Sequence, residues 1–228
     1  MKISNSKPDP RLRIDPAALG LREYSRSFFR GDTAQIAQDL VGGWFARYHE
    51  GEFYGARIVE TEAYLGIEDP AAHSFRGRRT ARVEPMYKDG GHLYVYFVYG
   101  MHHCANIVTR REGIPQAVLL RAAEGPAGVP PKLLAGPARL CAALGITVAS
   151  SGIDLLYSKE LKLFRRTGRK PNLGRSTRIG INYAGTARDW PLRFFDLSSP
   201  AVSGPACRSD SASEFSALPR GPSPKNGR

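Results

Sequence analysis

The chain has 228 residues, of which 42% are hydrophobic and 24% charged, as is typical of one globular domain or at most two. Lys and Arg total 33 against 21 Asp and Glu, and the formal net charge of +12 favours nucleic acid or an anionic membrane surface as the partner. No apolar run of about 18 residues could span a membrane and no apolar segment near the N-terminus forms a secretory signal, so we expect an intracellular protein.

The two ends of the chain differ in composition from its middle. Residues 1–21 are polar and interrupted by prolines, which predicts a disordered basic arm. Residues 22–206 are predicted to form one folded domain. Residues 207–228 are rich in Ser, Pro, Arg and Gly with little apolar content, which predicts a disordered tail.

The folded part shows strand patterns, then helix patterns, then strand patterns, without an internal repeat. In chain order they predict a helix capped by Asp32 and Thr33, a strand over 57–65, a loop or short helix over 70–74, an aromatic hairpin over 92–109, a buried strand over 117–122, a helix over 137–144, loop or helix edge over 159–178, and short closing strands over 179–181 and 192–195. This order predicts an α+β fold rather than a doubly wound sheet.

The predicted strand over 57–65 carries two acids, Glu60 and Glu62, in the segment ETEAY. Alternation places both on one face with Ile58 and Tyr64, and their Cα atoms are roughly 6 to 7 Å apart. Three interpretations stay open: a solvent-exposed acidic face, the acid–base pair of an inverting glycoside hydrolase, which spans roughly 6.5 to 9.5 Å, or a single base that activates water while Tyr64 stacks on a ring.

The aromatic hairpin has Gly100 at its turn. If the turn consists of the three residues 99–101, one face of the hairpin carries Tyr94, Tyr96, His102, Cys104 and Asn106; a two-residue turn would move Asn106 to the opposite face. Tyr99, with Met101 beside it, would project from the tip, where a large ring is unfavourable unless a partner receives it. Simple core packing would explain Leu93, Val95 and Phe97 but not Tyr99.

Cysteine and histidine spacing gives no indication of a metal site. Cys104, Cys141 and Cys207 lack CxxC spacing, which argues for a reducing compartment and against zinc. His102 and His103 precede Cys104, but adjacent strand residues point to opposite faces. We therefore expect no metal.

Several segments together resemble the alkyladenine (3-methyladenine) DNA glycosylase family, which excises methylpurines: GARIVETEAY, EDPAAHS, LYVYFVYGMHHCANIV and AVLLRAAEG, with weaker similarity in GPARLCAALGI, RIGI and PLRFF. The resemblance covers residues 28–202. It implies a single mixed catalytic domain with a curved antiparallel β-sheet, flanking helices and a protruding hairpin. It also implies no cofactor and no Schiff-base lysine, hence no AP-lyase activity. We expect a monomer.

The resemblance also implies a role for individual residues. Glu62 matches the general base that deprotonates the attacking water, and Arg121 the arginine that helps to hold that water and the carboxylate. The remaining matches are Tyr64, His73 and Tyr96 as aromatic walls around the flipped purine, Asn106 as the amide that disfavours normal guanine, and Tyr99 as the minor-groove wedge, with Met101 beside it. His102 departs from the aromatic residue that relatives often carry after YGM, so that part of the pocket or wedge is expected to differ.

The expected function is therefore excision of damaged purines from double-stranded DNA, with 3-methyladenine, 7-methylguanine, hypoxanthine and ethenoadenine as the substrate class. The basic segments over 76–82 and 159–178 are expected to neutralise phosphates. Two alternatives remain: a damage binder without catalysis, and a two-carboxylate sugar hydrolase. The basic charge and the exposed Tyr99 argue against the latter.

Overall fold

A computed structural model describes residues 6–166, 168 and 170–204. It contains helices α1 (Arg26–Phe29), α2 (Thr33–Leu40) and α3 (Pro137–Leu144). The strands are β1 (Arg13–Ile14), β2 (Arg22–Glu23), β3 (Trp44–His49), β4 (Glu52–Tyr64), β5 (Leu93–Val98), β6 (His102–Thr109), β7 (Gln116–Glu124), β8 (Leu161–Arg165), β9 (Leu173–Ser176) and β10 (Arg193–Asp196). Short 3-10 helices lie at Pro10–Leu12, Gly66–Glu68, Phe75–Gly77, Glu84–Tyr87, Pro131–Leu133, Val148–Ser150 and Gly185–Asp189.

One curled antiparallel sheet organises the described residues. Its main path runs β2-β8-β3-β4-β7-β6-β5, and β1, β9 and β10 attach beside β4. The 13-residue β4 pairs with β1 and β3 along its first half and with β10 and β7 along its second. Helices α2 and α3 cover the apolar core. The predicted α+β domain around a curved antiparallel sheet is therefore confirmed.

The local predictions for α2 and α3 are confirmed. The Asp32 side chain accepts a hydrogen bond from the Gln35 backbone N–H at 3.0 Å, as an N-cap should. Ile36, Ala37 and Leu40 form the buried face of α2. Helix α3 has Pro at its first turn, where the missing N–H costs nothing, and ends at a left-handed Gly145.

The hairpin of β5 and β6 has the three-residue turn. Val98 pairs with His102, Tyr96 with Cys104 and Tyr94 with Asn106. The turn residues Tyr99 and Gly100 both have positive φ, 52° and 68°, which costs glycine little and a tyrosine more. Asn106 therefore lies on the same face as Tyr94 and Tyr96.

The predicted faces of β4 need a correction. The pairing of β4 with β7 shifts register twice between Ile58 and Thr61, which interrupts the strict alternation of side chains. Ile58 lies in the main core with Ala63, not beside the acids. Val59 packs with Ala122 and Ala201, apart from the main core.

Residues 6–21 do not form the disordered arm predicted for 1–21. Leu12 is fully buried in the main core, and β1 pairs with β4 at Tyr54 and Phe53. The Arg47 guanidinium donates to the carbonyl of Ser6 at 2.8 Å and so fixes the start of this segment. Leu12 and Ile14 are buried apolar side chains of this mostly polar segment, and they suffice to anchor it. The predicted tail over 207–228 lies outside the described residues.

Two further predictions on the C-terminal side were wrong. Strands β8 and β9 lie in the stretch over 159–178 that was predicted as loop or helix edge. Leu161 and Leu163 of β8 face the core while Lys162 between them is half-buried, so basic side chains concealed a strand alternation. Residues 179–181 form no strand because Gly180 turns the chain with a φ of 79°. The predicted strand over 192–195 corresponds to β10. Among the described residues, no helix has the length and apolar character needed to cross a membrane.

Candidate active site

Glu60 and Glu62 of β4 are both completely buried, which excludes the solvent-exposed acidic face. The Glu62 carboxylate accepts a hydrogen bond from the Ile179 backbone N–H at 2.7 Å through Oε1 and one from the Tyr64 hydroxyl at 2.9 Å through Oε2. Arg121 Nη1 lies 3.4 Å from Oε1. Three donors from different parts of the chain therefore fix this carboxylate.

The Glu60 carboxylate is enclosed by protein donors. Oε1 accepts from Arg193 Nε at 2.6 Å and from Arg121 Nε at 3.1 Å, and Oε2 accepts from the Ser203 backbone N–H at 2.6 Å. Such a carboxylate holds two buried guanidinium groups in place. The arrangement gives no support to the sugar hydrolase interpretation, which requires Glu60 to act as a second catalytic acid.

Burial has a direct effect on the chemistry of Glu62. It raises the pKa of the carboxyl group above the ordinary value of 4.5, although Arg121 and the hydrogen bonds from Ile179 and Tyr64 oppose the shift. Burial would lower the pKa of Arg121, but Glu62 and Glu60 raise it overall. Arg121 therefore stays charged, and Glu62 is a carboxylate that takes up a proton more readily than an exposed one.

A small pocket, open to solvent, lies next to this group. Four of the predicted site residues line it: Tyr64, His73, Tyr96 and Asn106. Five further residues line it that were not among the predicted site residues: Ala71, Met86, Tyr94, Ala117 and Tyr183. Glu62 does not line the pocket; the Tyr64 side chain, which does, connects it to Glu62 through its hydroxyl. The pocket and the acid form one continuous site.

Aromatic rings make up most of the pocket wall. The His73 and Tyr96 rings meet edge to face with centroids 4.5 Å apart, and His73 Nδ1 lies 2.8 Å from the Tyr94 hydroxyl. Burial, followed by the charges of Arg82 and Arg78, lowers the pKa of His73 to about 4, so its ring is neutral near pH 7. The pocket is therefore a ring-lined slot with no charged lining residue near pH 7.

The Asn106 side chain has a fixed orientation at the edge of the slot. Its Nδ2 donates to the backbone carbonyls of Tyr94 at 3.1 Å and Cys104 at 3.4 Å, and the residue is 4% exposed. An amide held in this way cannot turn aside for a bulkier ligand. Its position on the Tyr96 face follows from the three-residue turn of the hairpin.

A buried ion pair supports the Tyr64 ring from behind. Arg178 donates to the Asp69 carboxylate at 2.5 and 2.9 Å, and neither side chain is exposed. The Arg178 guanidinium carbon lies 4.8 Å from the Tyr64 ring centroid. Asp69 also accepts from the backbone of Leu65 and Ala71, which fixes the loop that leads to His73.

Large apolar side chains are exposed at the hairpin tip and on one wall of the pocket. Tyr99 at the hairpin tip is 87% exposed and Met101 is 69% exposed. Tyr183, which lines the pocket, is 71% exposed, and its hydroxyl makes only a long hydrogen bond of 3.4 Å to the Ala71 carbonyl. Large exposed rings beside a pocket are typical of a surface that receives a partner.

Local sequence patterns indicate only some of the lining residues that were not predicted. Tyr94 was placed on the correct face by strand alternation alone. Met86 lies in the 3-10 helix Glu84–Tyr87, and Tyr183 follows the turn at Gly180, so neither belongs to a periodic pattern. The contact of Ile179 with Glu62 brings the Tyr183 loop to the pocket, across 117 positions of sequence.

Comparison with known proteins finds similar chains in several bacteria. A protein of Desulfitobacterium hafniense (strain Y51), carried under the provisional name of 3-methyladenine DNA glycosylase, is 42% identical over 204 residues, which is 80% of this chain and 99% of that protein. A Bdellovibrio bacteriovorus protein with the same provisional name is 43% identical over 180 residues, 75% of this chain and 93% of its own length. A Bacillus cytotoxicus protein with the same provisional name is 38% identical over 197 residues, which is 77% of this chain and 97% of that protein.

The family comparison covers almost the same region as the resemblance seen in the motifs. Residues 27–200 match the family model described as Methylpurine-DNA glycosylase (MPG). This span includes β4, the hairpin and the Ile179 turn, and therefore every residue of the pocket. The chain belongs to the methylpurine-DNA glycosylase family and is a DNA glycosylase.

Proposed function

We propose that this enzyme extrudes damaged purines from double-stranded DNA and hydrolyses their N-glycosidic bond with water activated by Glu62. One observation carries the proposal: the Glu62 carboxylate is buried and oriented by three donors, and Tyr64 joins it to a ring-lined pocket. The proposed substrates are 3-methyladenine, 7-methylguanine, hypoxanthine and ethenoadenine. The names of the relatives support the first of these.

Extrusion is required because the reacting bond of a stacked base cannot reach a buried carboxylate. Removing a base from the stack costs a few kcal/mol, and a side chain inserted into the gap offsets part of this cost. Tyr99 and Met101 project from the hairpin tip and are the proposed wedge. The net charge of +12 supports binding to the phosphate backbone.

In the proposed complex the purine lies between the Tyr64 ring and the rings of His73 and Tyr96. Alkylation at N3 or N7 gives the purine a positive charge, which weakens the glycosidic bond. Water then attacks C1′ of the sugar, its proton passes to Glu62, and the bonding electrons leave with the base. Arg121 favours the ionised form of Glu62, and reaching that carboxylate requires water to enter beside the Tyr64 hydroxyl.

We also propose that the enzyme has no AP-lyase activity. A lyase step needs an amine that forms a Schiff base with the sugar. Among the described residues that line the pocket there is no lysine. The acid and the polar groups around it are suited to activating water rather than to attacking the sugar directly.

The direct test uses duplex oligonucleotides that each carry one of the four lesions. The enzyme is expected to release the free base and to leave an abasic strand that breaks only after treatment with alkali. An undamaged duplex is the control. Tight binding to damaged duplexes without any base release would instead support the damage binder, and strand cleavage without alkali would contradict the absence of lyase activity.

The acid side of the pH profile gives a second test. Glu62 must be ionised to accept a proton, and its pKa is raised by burial, so base release should fall on acidification at a pH above 4.5. His73, with a pKa of about 4, ionises too low to produce this limb. Single-turnover rates with a hypoxanthine duplex across the acidic and neutral range measure it. A limb at or below 4.5 would contradict the proposed base.

Replacement of the wedge gives a third expected result. Tyr99→Ala should slow release of hypoxanthine about 5- to 150-fold, because contact between a base and an aromatic side chain contributes about 1–3 kcal/mol. Tyr157→Ala removes a ring that is 82% exposed and lies outside the hairpin, and it should leave the rate unchanged. Equal effects of the two replacements would show that the hairpin tip has no special part in extrusion.

A further inference from the structure

Arg82 places a positive charge against a wall of the base pocket. Its guanidinium carbon lies 5.6 Å from the centroid of the Tyr96 ring, and its Nη2 donates to the Phe97 carbonyl at 3.3 Å. The Arg82 side chain is exposed, whereas the Tyr96 ring lines the pocket. The same ring therefore contacts a cation and also borders the pocket in which the base is proposed to lie.

The carboxylates next to the pocket have partners of opposite sign, whereas exposed Arg78, like Arg82, forms no ion pair with a described residue. Glu60 and Glu62 contact Arg121, and Asp69 pairs with Arg178. Within the described part of the chain, no carboxylate lies within 4 Å of the Arg82 guanidinium. Its charge is thus not neutralised locally, and it also lowers the pKa of His73, the neighbouring wall residue.

An aromatic face attracts one cation well and a second one less well. A cation over a tyrosine ring gains about 0.5–2 kcal/mol from the negative face of the ring. Because Arg82 already interacts with the Tyr96 ring, a positively charged base stacked there would also meet an unneutralised guanidinium. A neutral purine of the same shape would gain its stacking energy without this repulsion.

We propose that Arg82 is a specificity-determining residue, which shifts the preference of the pocket from cationic alkylated purines toward uncharged flat bases. The inference rests on the proposed function, because it requires the base to stack against Tyr96. It identifies a charge outside the pocket lining, rather than the shape of the slot, as the control over which class of lesion is released faster.

The test compares a cationic lesion with a neutral lesion in the same duplex sequence. Single-turnover base release is measured with 7-methylguanine, which is cationic, and with hypoxanthine, which is neutral. Arg82→Gln should raise the 7-methylguanine to hypoxanthine rate ratio, relative to wild type, by about 2- to 30-fold, the factor that corresponds to the energy of one cation–aromatic contact. Arg82→Met should give the same change, and Arg82→Lys should keep the wild-type ratio within about a factor of two.

The chain offers a matched control three residues away. Arg79 is exposed, its guanidinium carbon lies 4.5 Å from the Tyr87 ring centroid, and it pairs with Glu84. Arg79→Gln removes the same charge from the same basic segment, but Tyr87 does not line the pocket. The rate ratio should therefore stay at its wild-type value.

The possible outcomes distinguish a failure of the specificity role of Arg82 from a failure of the proposed function. If Arg82→Gln and Arg82→Met slow both lesions equally, Arg82 is a phosphate contact only and the specificity role is overturned. An equal change of the ratio in Arg79→Gln would overturn it as well, because general charge would then be the cause. If the wild-type enzyme releases neither base, the proposed function itself fails. Melting temperatures of the variants, expected near wild type for exposed sites, exclude unfolding as the cause.

Discussion

Glu62→Gln is expected to reduce base release about 10²- to 10⁴-fold while affinity for the damaged duplex stays close to wild type. The amide has the shape of the carboxylate and can still accept a hydrogen bond from Tyr64 or from the Ile179 backbone. It cannot take a proton from water. Single-turnover release of hypoxanthine and equilibrium binding of the same duplex measure the two properties separately.

Glu60→Gln is the matched control for this prediction. The two acids are two positions apart on β4 and equally buried, but Glu60 is occupied by Arg121, Arg193 and the Ser203 backbone. Its replacement should lower stability, because two buried guanidinium groups lose their shared carboxylate. The remaining folded enzyme should still release the base.

Each alternative function predicts a different pattern for these two variants. A two-carboxylate sugar hydrolase requires equal losses of activity from Glu60→Gln and Glu62→Gln. A damage binder requires that neither replacement changes any property except stability. Loss of duplex binding together with base release in Glu62→Gln would contradict the assignment of Glu62 as a base, since the residue would then hold the DNA or the fold.

The parts of the site that sequence could predict are those controlled by local periodicity. The acids lie on one strand, and alternation places Asn106 with Tyr96 on the pocket face if the turn has three residues, a length that the sequence left open and the structure shows. Both features follow from side-chain alternation and from a glycine at the turn. The caps of α2 and α3 are equally local, because each depends on a polar or proline residue at a helix end.

The parts that sequence could not predict depend on contacts between distant segments. Arg178 looked like a surface charge at the end of a basic stretch, yet it is completely buried against Asp69, 109 positions away. Leu12 looked like one apolar residue in a polar arm, yet it enters the main core. The register shifts of β4 arise from its pairing with β7, and no pattern within β4 alone indicates them.

The buried ion pair leads to the second large expected effect. Arg178→Met should lower the free energy of unfolding by about 3–5 kcal/mol, because Asp69 would remain as a buried charge without its partner. The Arg178 guanidinium also donates to the carbonyls of Ala63 and Ala187, at 3.0 and 3.3 Å, so three segments lose a shared contact. Chemical denaturation measures the change.

An exposed pair provides the comparison. Arg13 donates to both carboxylate oxygens of Glu52, through Nε and Nη2, but the two side chains are 65% and 39% exposed. Arg13→Gln should therefore cost less than about 1 kcal/mol. A loss of this small size for Arg178→Met would show that water or local rearrangement neutralises Asp69, contrary to the buried geometry.

The double variant Asp69→Asn with Arg178→Met separates stability from positioning. Removing both charges should recover much of the lost stability, because no unpaired buried charge remains. Base release should stay reduced even well below the melting temperature, since Tyr64 loses the guanidinium behind its ring and its hydroxyl must still orient Glu62. Full recovery of both stability and rate would show that the pair serves folding alone. Recovery of stability without recovery of rate would show that the ion pair positions the pocket wall on which the acid depends.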